Sequence, residues 1–271
     1  MKRMNGRCVV VTGASSGIGE ALARSYAALG ASVVLGARQQ SRLQEITAEI
    51  VASGGKATYS VVDVVKEDEC EALIARAVEE YGRIDVLICN AGLSMRALFD
   101  DVDLEVLHRL MDVNFWGTVN CVKYALPYIQ QSQGSIVGVS SVAGLHGLPA
   151  RTGYSASKYA MTGFLETIRI ENMKKGVHVM IACPGFTASN VRFSALTADG
   201  HNQGETPRDE SKMMSAEEVS QIIIRDTNRR KRLSLMEFNG RATHFIKKLF
   251  PAFLDRMFYN HMAKEPDSPL K

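Results

Sequence analysis

The segment Arg7-Cys8-Val9-Val10-Val11 runs without a break into Thr12-Gly13-Ala14-Ser15-Ser16-Gly17-Ile18-Gly19. A short apolar run of β-branched residues is the signature of a strand buried in a parallel sheet. A helical pattern follows, with Ala21, Leu22, Tyr26 and Leu29 on one side. Strand, glycine turn and helix in this order leave few folds open, because each glycine has its own task. Gly13 permits the tight turn, Gly17 lets the backbone approach a pyrophosphate, and Gly19 lets the helix pack closely on the strand. The helix N-terminus adds free N–H groups and a positive dipole end, so this turn reads as a dinucleotide site. Ser15, Ser16 and Ile18 lie inside the same loop.

The rest of the chain alternates in the same way. Strand-like runs fall at 32–36, 58–62, 84–89, 135–140, 177–183 and 233–236. Helical patterns fall near 39–53, 67–80, 103–130, 154–174 and 215–227. Such alternation implies βαβ units and a parallel sheet with both faces covered. A length of 271 residues is compatible with one domain of this kind. The expected fold is a single doubly wound α/β domain, a parallel seven-stranded sheet flanked by helices on both faces.

A second local signal is Tyr154-x-x-x-Lys158, which places both side chains on one face of a helix. An ammonium there favours the phenolate and lowers the tyrosine pKa from about 10. A tyrosine tuned in this way exchanges a proton with an alcohol or carbonyl. Cys8, Cys70, Cys89, Cys121 and Cys183 are scattered and form no C-x-x-C pair. That spacing argues against disulfides and against a metal site, and for a reducing compartment. Only Met1 to Gly6 precede the first strand, so no signal peptide is expected. No apolar run is long enough to span a bilayer, and the expected location is cytoplasmic.

Taken together, Thr12-Gly-x-x-x-Gly-x-Gly19, Asn90-Ala91-Gly92, Asn114, Ser141, Tyr154-x-x-x-Lys158 and Pro184-Gly185 occur in the order and spacing of one family. Over residues 6–236 the chain resembles the classical short-chain dehydrogenases/reductases. The resemblance implies a Rossmann-type domain and nicotinamide-dependent chemistry at an alcohol/carbonyl carbon. It also implies roles. Ser141 would polarise the substrate carbonyl, Tyr154 would exchange its proton, and Lys158 would hold the nicotinamide ribose and favour the phenolate. Asn114 would anchor a water relay to the lysine. Asp63, beside Val64, matches the adenine-contacting aspartate. Asn90, with Ala91 and Gly92, matches the brace beside the adenosine ribose. Pro184, Gly185 and Thr187 would dock the carboxamide. Cys89 departs from the family's usual asparagine and reads as a buried small hydrophobe.

Cofactor choice rests on the end of the second strand. NAD-preferring enzymes place an acidic residue there. This chain has Gly36-Ala37-Arg38, and a guanidinium pairs with a 2′-phosphate. The expected cofactor is NADP(H).

Three segments should line the substrate pocket, through Leu93 and Met95, through Leu145, His146 and Leu148, and through Phe186, Val191, Phe193 and Leu196. The set is mostly apolar and favours a lipophilic, steroid- or lipid-like alcohol or ketone. Residues 197–212 read as a mobile loop. Domain bounds are expected at 1–236 for the catalytic domain, 237–264 for an amphipathic helical extension, and 265–271 for a disordered tail.

From Asn228 to Arg256 the chain carries eight lysines and arginines against two acidic residues, while the whole chain is only +3. The same stretch carries a stripe of Phe245, Ile246, Leu249, Phe250, Phe253, Leu254, Met257 and Phe258, which Pro251 would kink or divide. This pattern suits a membrane surface, or packing on the protein's own core. No nucleic-acid recognition motif accompanies the charge. The leading reading is an NADP(H)-dependent oxidoreductase, and the family resemblance implies a homodimer or homotetramer. The alternatives are a 3-oxoacyl-carrier reductase and a cofactor-binding membrane scaffold.

Overall fold

β-Branched strands flanked by helices on both sides must be buried on both faces, and Cys8–Thr12 (β1) is buried at all five positions. A computed structural model describes residues 3–185, 187, 194–204, 213–236, 238–264 and 268–270. After β1 come α1 (Gly17–Ala28), β2 (Ser32–Ala37), α2 (Gln40–Ala52), β3 (Lys56–Val61), α3 (Glu67–Tyr81) and β4 (Val86–Cys89). Next are α4 (Leu104–Met111), α5 (Gly117–Ser132), β5 (Ser135–Val139), α6 (Thr152–Glu171) and β6 (His178–Cys183). The chain continues through α7 (Ala216–Asn228), β7 (Leu233–Leu235), α8 (Phe238–Leu249) and α9 (Pro251–Ala263).

The strands form one seven-stranded sheet in the order β3-β2-β1-β4-β5-β6-β7. Every pairing is parallel. The direction of winding reverses between β1 and β4, which opens a crevice at their carboxyl ends. Two apolar layers cover the sheet. One joins Val9, Val11, Leu22, Tyr26, Leu35, Ile46 and Ile223. The other joins Val10, Val34, Leu73, Leu87, Ile129, Ile136 and Leu165. Alternate residues of β1 and β2 serve opposite layers, as period-two geometry requires.

One expected helix is interrupted. The pattern at 103–130 contains a π-turn, Asp112–Trp116, between α4 and α5. A π-turn inserts an extra residue per turn and often marks a functional site. Here it carries Asn114, which is fully buried. The tail is divided where proline demands it. Pro251 begins α9, one residue after α8 has ended.

The loop expected to be mobile is partly docked. Leu196 forms a parallel bridge with Met95, and Arg96 N–H and Leu196 N–H bond across it. Asp103 N–H donates to Ala198 O at 2.9 Å and the Arg109 guanidinium to Gly200 O at 3.2 Å. Backbone pairing therefore fixes residues 194–204 against α4, which composition alone does not reveal. Residues 205–212 lie outside the described residues.

Candidate active site

The turn after β1 is built as its glycines demand. Gly13 and Gly17 sit at φ +64° and +53°, a region costly for any side chain. A Cβ on Gly19 would lie 2.2 Å from Gly13 O and 2.6 Å from Asn90 Nδ2. Asn90 Nδ2 itself donates to Thr12 O at 3.0 Å and Gly13 O at 3.2 Å. Asn90 N–H donates to Thr12 Oγ1 at 3.0 Å. Asn90 thus braces the end of β4 against the turn. Ser16 precedes α1 without capping it through its side chain, so its hydroxyl and the first helical N–H groups remain available to an anion.

In front of this turn lies a cavity of about 710 Å³. Its walls include Gly13, Ser15, Ser16, Gly17, Ile18, Arg38, Asp63, Val64, Asn90, Ala91 and Gly92. Arg38 is exposed at the rim. Its guanidinium makes no hydrogen bond or ion pair among the described residues. Asp63 Oδ1 accepts from Val65 N–H at 3.3 Å. These positions fit a dinucleotide: glycines where backbone must approach, a helix N-terminus for the pyrophosphate, and an exposed guanidinium at the rim.

Gly92 also bounds the residues that the sequence resemblance assigns to catalysis. A Cβ there would meet Asn114 Oδ1 at 3.0 Å and Lys158 Nζ at 3.4 Å. Asn114 is locked by Leu93, whose N–H it accepts at 2.8 Å and whose C=O it bonds at 2.9 Å. Its Nδ2 also donates to Ser157 Oγ at 2.9 Å. Lys158 is 4% exposed and its Nζ donates to Val139 O at 2.9 Å.

Ser141 leaves the end of β5 in extended backbone, and its Oγ accepts from Ala143 N–H at 3.2 Å. Its hydroxyl lies near that of Tyr154 and favours the phenolate. Burial raises the Tyr154 pKa from 10, opposed by the Ser141 hydroxyl and the Arg151 charge. The ring keeps part of its surface open, which moderates the effect of burial. Lys158 is not the group that lowers it, because Nζ lies 6.0 Å from the ring centroid and is turned to Val139 O. The spacing of tyrosine and lysine puts them on one face, but the ammonium has found a nearer oxygen.

Burial pushes Lys158 down from 10.5 to about 8. Below about pH 8 the fold carries a buried ammonium. Between about pH 8 and 10.5 the unfolded chain holds the proton that the folded chain releases, so stability rises with pH there. Lys158→Met is therefore expected to be more stable than wild type at pH 7, by up to about 3 kcal/mol. The gain should shrink toward pH 10. Urea unfolding at the two pH values checks this, and a midpoint at pH 7 no higher than wild type's contradicts it.

Arg151 is a participant that sequence reading missed. It donates to Ser94 Oγ at 3.2 Å and to Met95 O. Its charge beside Tyr154 follows from Ala150, a non-glycine residue at φ +55° that turns the chain into α6. No sequence signal announces such a residue.

The expected pocket residues divide. Leu93 lines the cavity wall near Asn114. Met95 and Leu196 are fully buried with Val106 and Leu110, a small core against which Leu93 and Tyr154 pack. Leu145 packs on the sheet's second layer. His146, 5% exposed, and Leu148 line a separate cavity of about 440 Å³ with Thr152, Ser155, Asp255 and Phe258. Pro184 and Gly185 follow β6, and Thr187 Oγ1 donates to Gly185 O at 3.2 Å. Phe186, Val191 and Phe193 lie outside the described residues. All five cysteines are free and buried, and among the described residues no cluster of acidic, histidine or cysteine side chains could hold a metal. No helix among them is long and apolar enough to cross a membrane.

Residues 7–199 match the family described as short chain dehydrogenase. Over 266 residues the chain is 32% identical to dehydrogenase/reductase SDR family member 7B of Mus musculus, spanning 96% of this chain and 82% of that one. It is 33% identical over 278 residues to 11-beta-hydroxysteroid dehydrogenase A of Sesamum indicum, spanning 98% and 78%. Among solved structures, the alcohol dehydrogenase of the archaeon Thermococcus sibiricus, complexed with 5-hydroxy-NADP, superposes with a TM-score of 0.72. Its identity is 26%, over 84% of this chain and 94% of that one.

Proposed function

The chain belongs to the short chain dehydrogenase family, and from that premise we propose that it is an NADP(H)-dependent reductase of lipophilic, steroid-like ketones, or the reverse dehydrogenase. An oxidoreductase with a nicotinamide dinucleotide cofactor follows from the family and its relatives. The single observation that supports alcohol/carbonyl chemistry is Ser141 beside Tyr154, next to a cavity that fits a dinucleotide.

The bound cofactor supplies the hydride. Ser141 orients the substrate carbonyl oxygen. Tyr154, kept protonated by burial, delivers a proton to that oxygen during reduction and takes it back during oxidation. Lys158 holds the ribose hydroxyls once its ammonium leaves Val139 O. Asn114 fixes Leu93 and so the wall opposite. Pro184, Gly185 and Thr187 dock the carboxamide. Relatives named as steroid dehydrogenases and Leu93 on the cavity wall support a bulky apolar substrate.

Arg38 carries the preference for NADP(H). Arg38→Asp replaces a charge-assisted pair by repulsion, which is expected to cost NADPH about 10- to 100-fold in KM while NADH improves. Initial rates with both cofactors check this, and an unchanged ratio removes Arg38 from the site.

Residues 1–236 form the proposed catalytic domain and 237–264 a helical extension that meets membrane from the cytoplasmic side. The sequence stripe splits in the fold. Leu254 and Met262 turn inward and are buried, while Phe245, Leu249, Phe250 and Phe253 are each more than half exposed. Lys248 and Arg256 flank this apolar surface. An exposed aromatic face with basic borders suits anionic lipid. The full chain is expected to co-sediment with anionic vesicles, and a Phe250→Glu/Phe253→Glu variant to stay in solution. Equal, negligible binding of both rejects this. Assembly as a homodimer or homotetramer through α5 and α6 is supported by Trp116, in the π-turn that leads into α5, and Ile170 on α6, 51% and 64% exposed. A sedimentation mass of one chain contradicts it.

A further inference from the structure

The inner face of the α8–α9 pair grips the segment that follows Ser141. On α8, Lys247 Nζ donates to Leu145 O at 2.6 Å and to the Tyr159 hydroxyl. It lies 4.8 Å from the Tyr159 ring centroid. Gly240, also on α8, faces Val142, whose Cγ2 would be 3.5 Å from a Cβ added there. On α9, the Phe258 ring stacks on His146 at 4.9 Å. Asp255 Oδ1 lies 3.6 Å from His146 Nε2.

Residues 141–146 are a single tight turn. Gly144 N–H bonds Ser141 O at 3.0 Å, Leu145 N–H bonds Val142 O at 2.9 Å and His146 N–H bonds Val142 O at 3.0 Å. Beyond it the chain is tied to α6 through Leu148 N–H and Ser155 Oγ at 3.3 Å. The turn starts one residue past Ser140, whose N–H bonds Ala182 O on β6 at 2.7 Å, so the sheet fixes its entry and these anchors hold the rest. Ser141 opens the turn, and any shift of the turn moves its hydroxyl relative to Tyr154. Holding a lysine side chain in one conformation costs side-chain entropy, and Lys247 is held by two oxygens and a ring.

We propose that Lys247 is a positioning residue for Ser141, and that the α8–α9 pair is the clamp that sets the Ser141–Tyr154 geometry. This rests on the reading of Ser141 and Tyr154 as the reacting pair. The clamp makes the tail part of the active site without supplying a group that touches substrate.

Three variants of the full chain test it. Lys247→Met keeps the apolar stem and removes the ammonium. Lys247→Arg restores a donor that also stacks on tyrosine. Phe258→Ala loosens the second anchor. In Lys247→Met, amide exchange at Leu145 and His146 is expected to rise about tenfold or more, while β1 and β4 amides stay as in wild type. Its kcat should fall about 10- to 100-fold, with the KM for NADPH within about twofold, because the dinucleotide cavity is not touched. Lys247→Arg should recover most of both losses, and Phe258→Ala should move both in the same direction. Unchanged exchange in Lys247→Met and Phe258→Ala overturns the clamp. Faster exchange with unchanged kcat overturns the positioning role. If Lys247→Met does not fold, Phe258→Ala decides. If wild type turns over no carbonyl or alcohol, the proposed activity has failed, and the exchange measurement still decides the clamp.

Discussion

Tyr154→Phe is expected to lower kcat by about a thousandfold, within the range of a lost general acid, while NADPH still binds with wild-type affinity. The ring stays and only the hydroxyl goes, so packing against Leu93 and the small core around Met95 survives. The loss should appear equally in kcat and kcat/KM, because the proton moves only in the transition state. Ser141 keeps its bond to Ala143 N–H and can still orient the carbonyl, so a residual rate should remain. Titration of NADPH fluorescence beside initial rates separates binding from turnover. A variant that retains more than a tenth of the wild-type rate removes Tyr154 from the proton-donating role.

Gly19→Ala is the second large effect, and it acts on binding. The added Cβ would stand 2.2 Å from Gly13 O and 2.6 Å from Asn90 Nδ2. Neither neighbour is the free end of a flexible chain. Gly13 O is backbone, and Asn90 is held by Thr12 O and Gly13 O. The turn must open or α1 must rise from β1. The strain is expected to cost about 1–3 kcal/mol of stability. A displaced turn should weaken NADPH binding by about 100-fold or more, since its backbone no longer meets the pyrophosphate. Gly163 is a control inside α6, where a Cβ meets nothing within 4 Å. Gly163→Ala should leave binding intact. Wild-type affinity in Gly19→Ala would show that the pyrophosphate does not sit on this turn.

Local chemistry was legible in the chain because its causes are local. The strand-turn-helix around Gly13 and Gly19, the Tyr154–Lys158 spacing and the β-branched strands each need only a few neighbouring residues. All seven strands lie where hydrophobic runs place them, with ends shifted by one or two positions. What depends on distant partners was not legible. The π-turn at Asp112–Trp116 carries Asn114, which bonds Leu93, a contact that spacing does not announce. Arg151 joins the site through Ser94 and Met95. Lys158 turns to Val139 O, so the lysine that sequence assigns to the tyrosine serves another oxygen in this arrangement. The tail looked like one stripe, yet its aromatic residues divide between an inner face on His146 and an outer face that is exposed. Periodicity shows that a helix is amphipathic but not which neighbour covers it.

The most direct measurement of the central claim is the initial rate of NADPH and NADH oxidation against a panel of steroid, other lipophilic and acyl-thioester ketones. Alcohols with NADP⁺ follow in reverse. Turnover of a lipophilic ketone, preference for NADPH over NADH and loss of that turnover in Tyr154→Phe are expected. Tight NADPH binding with no turnover in either direction, or a rate indifferent to Tyr154, would contradict that claim.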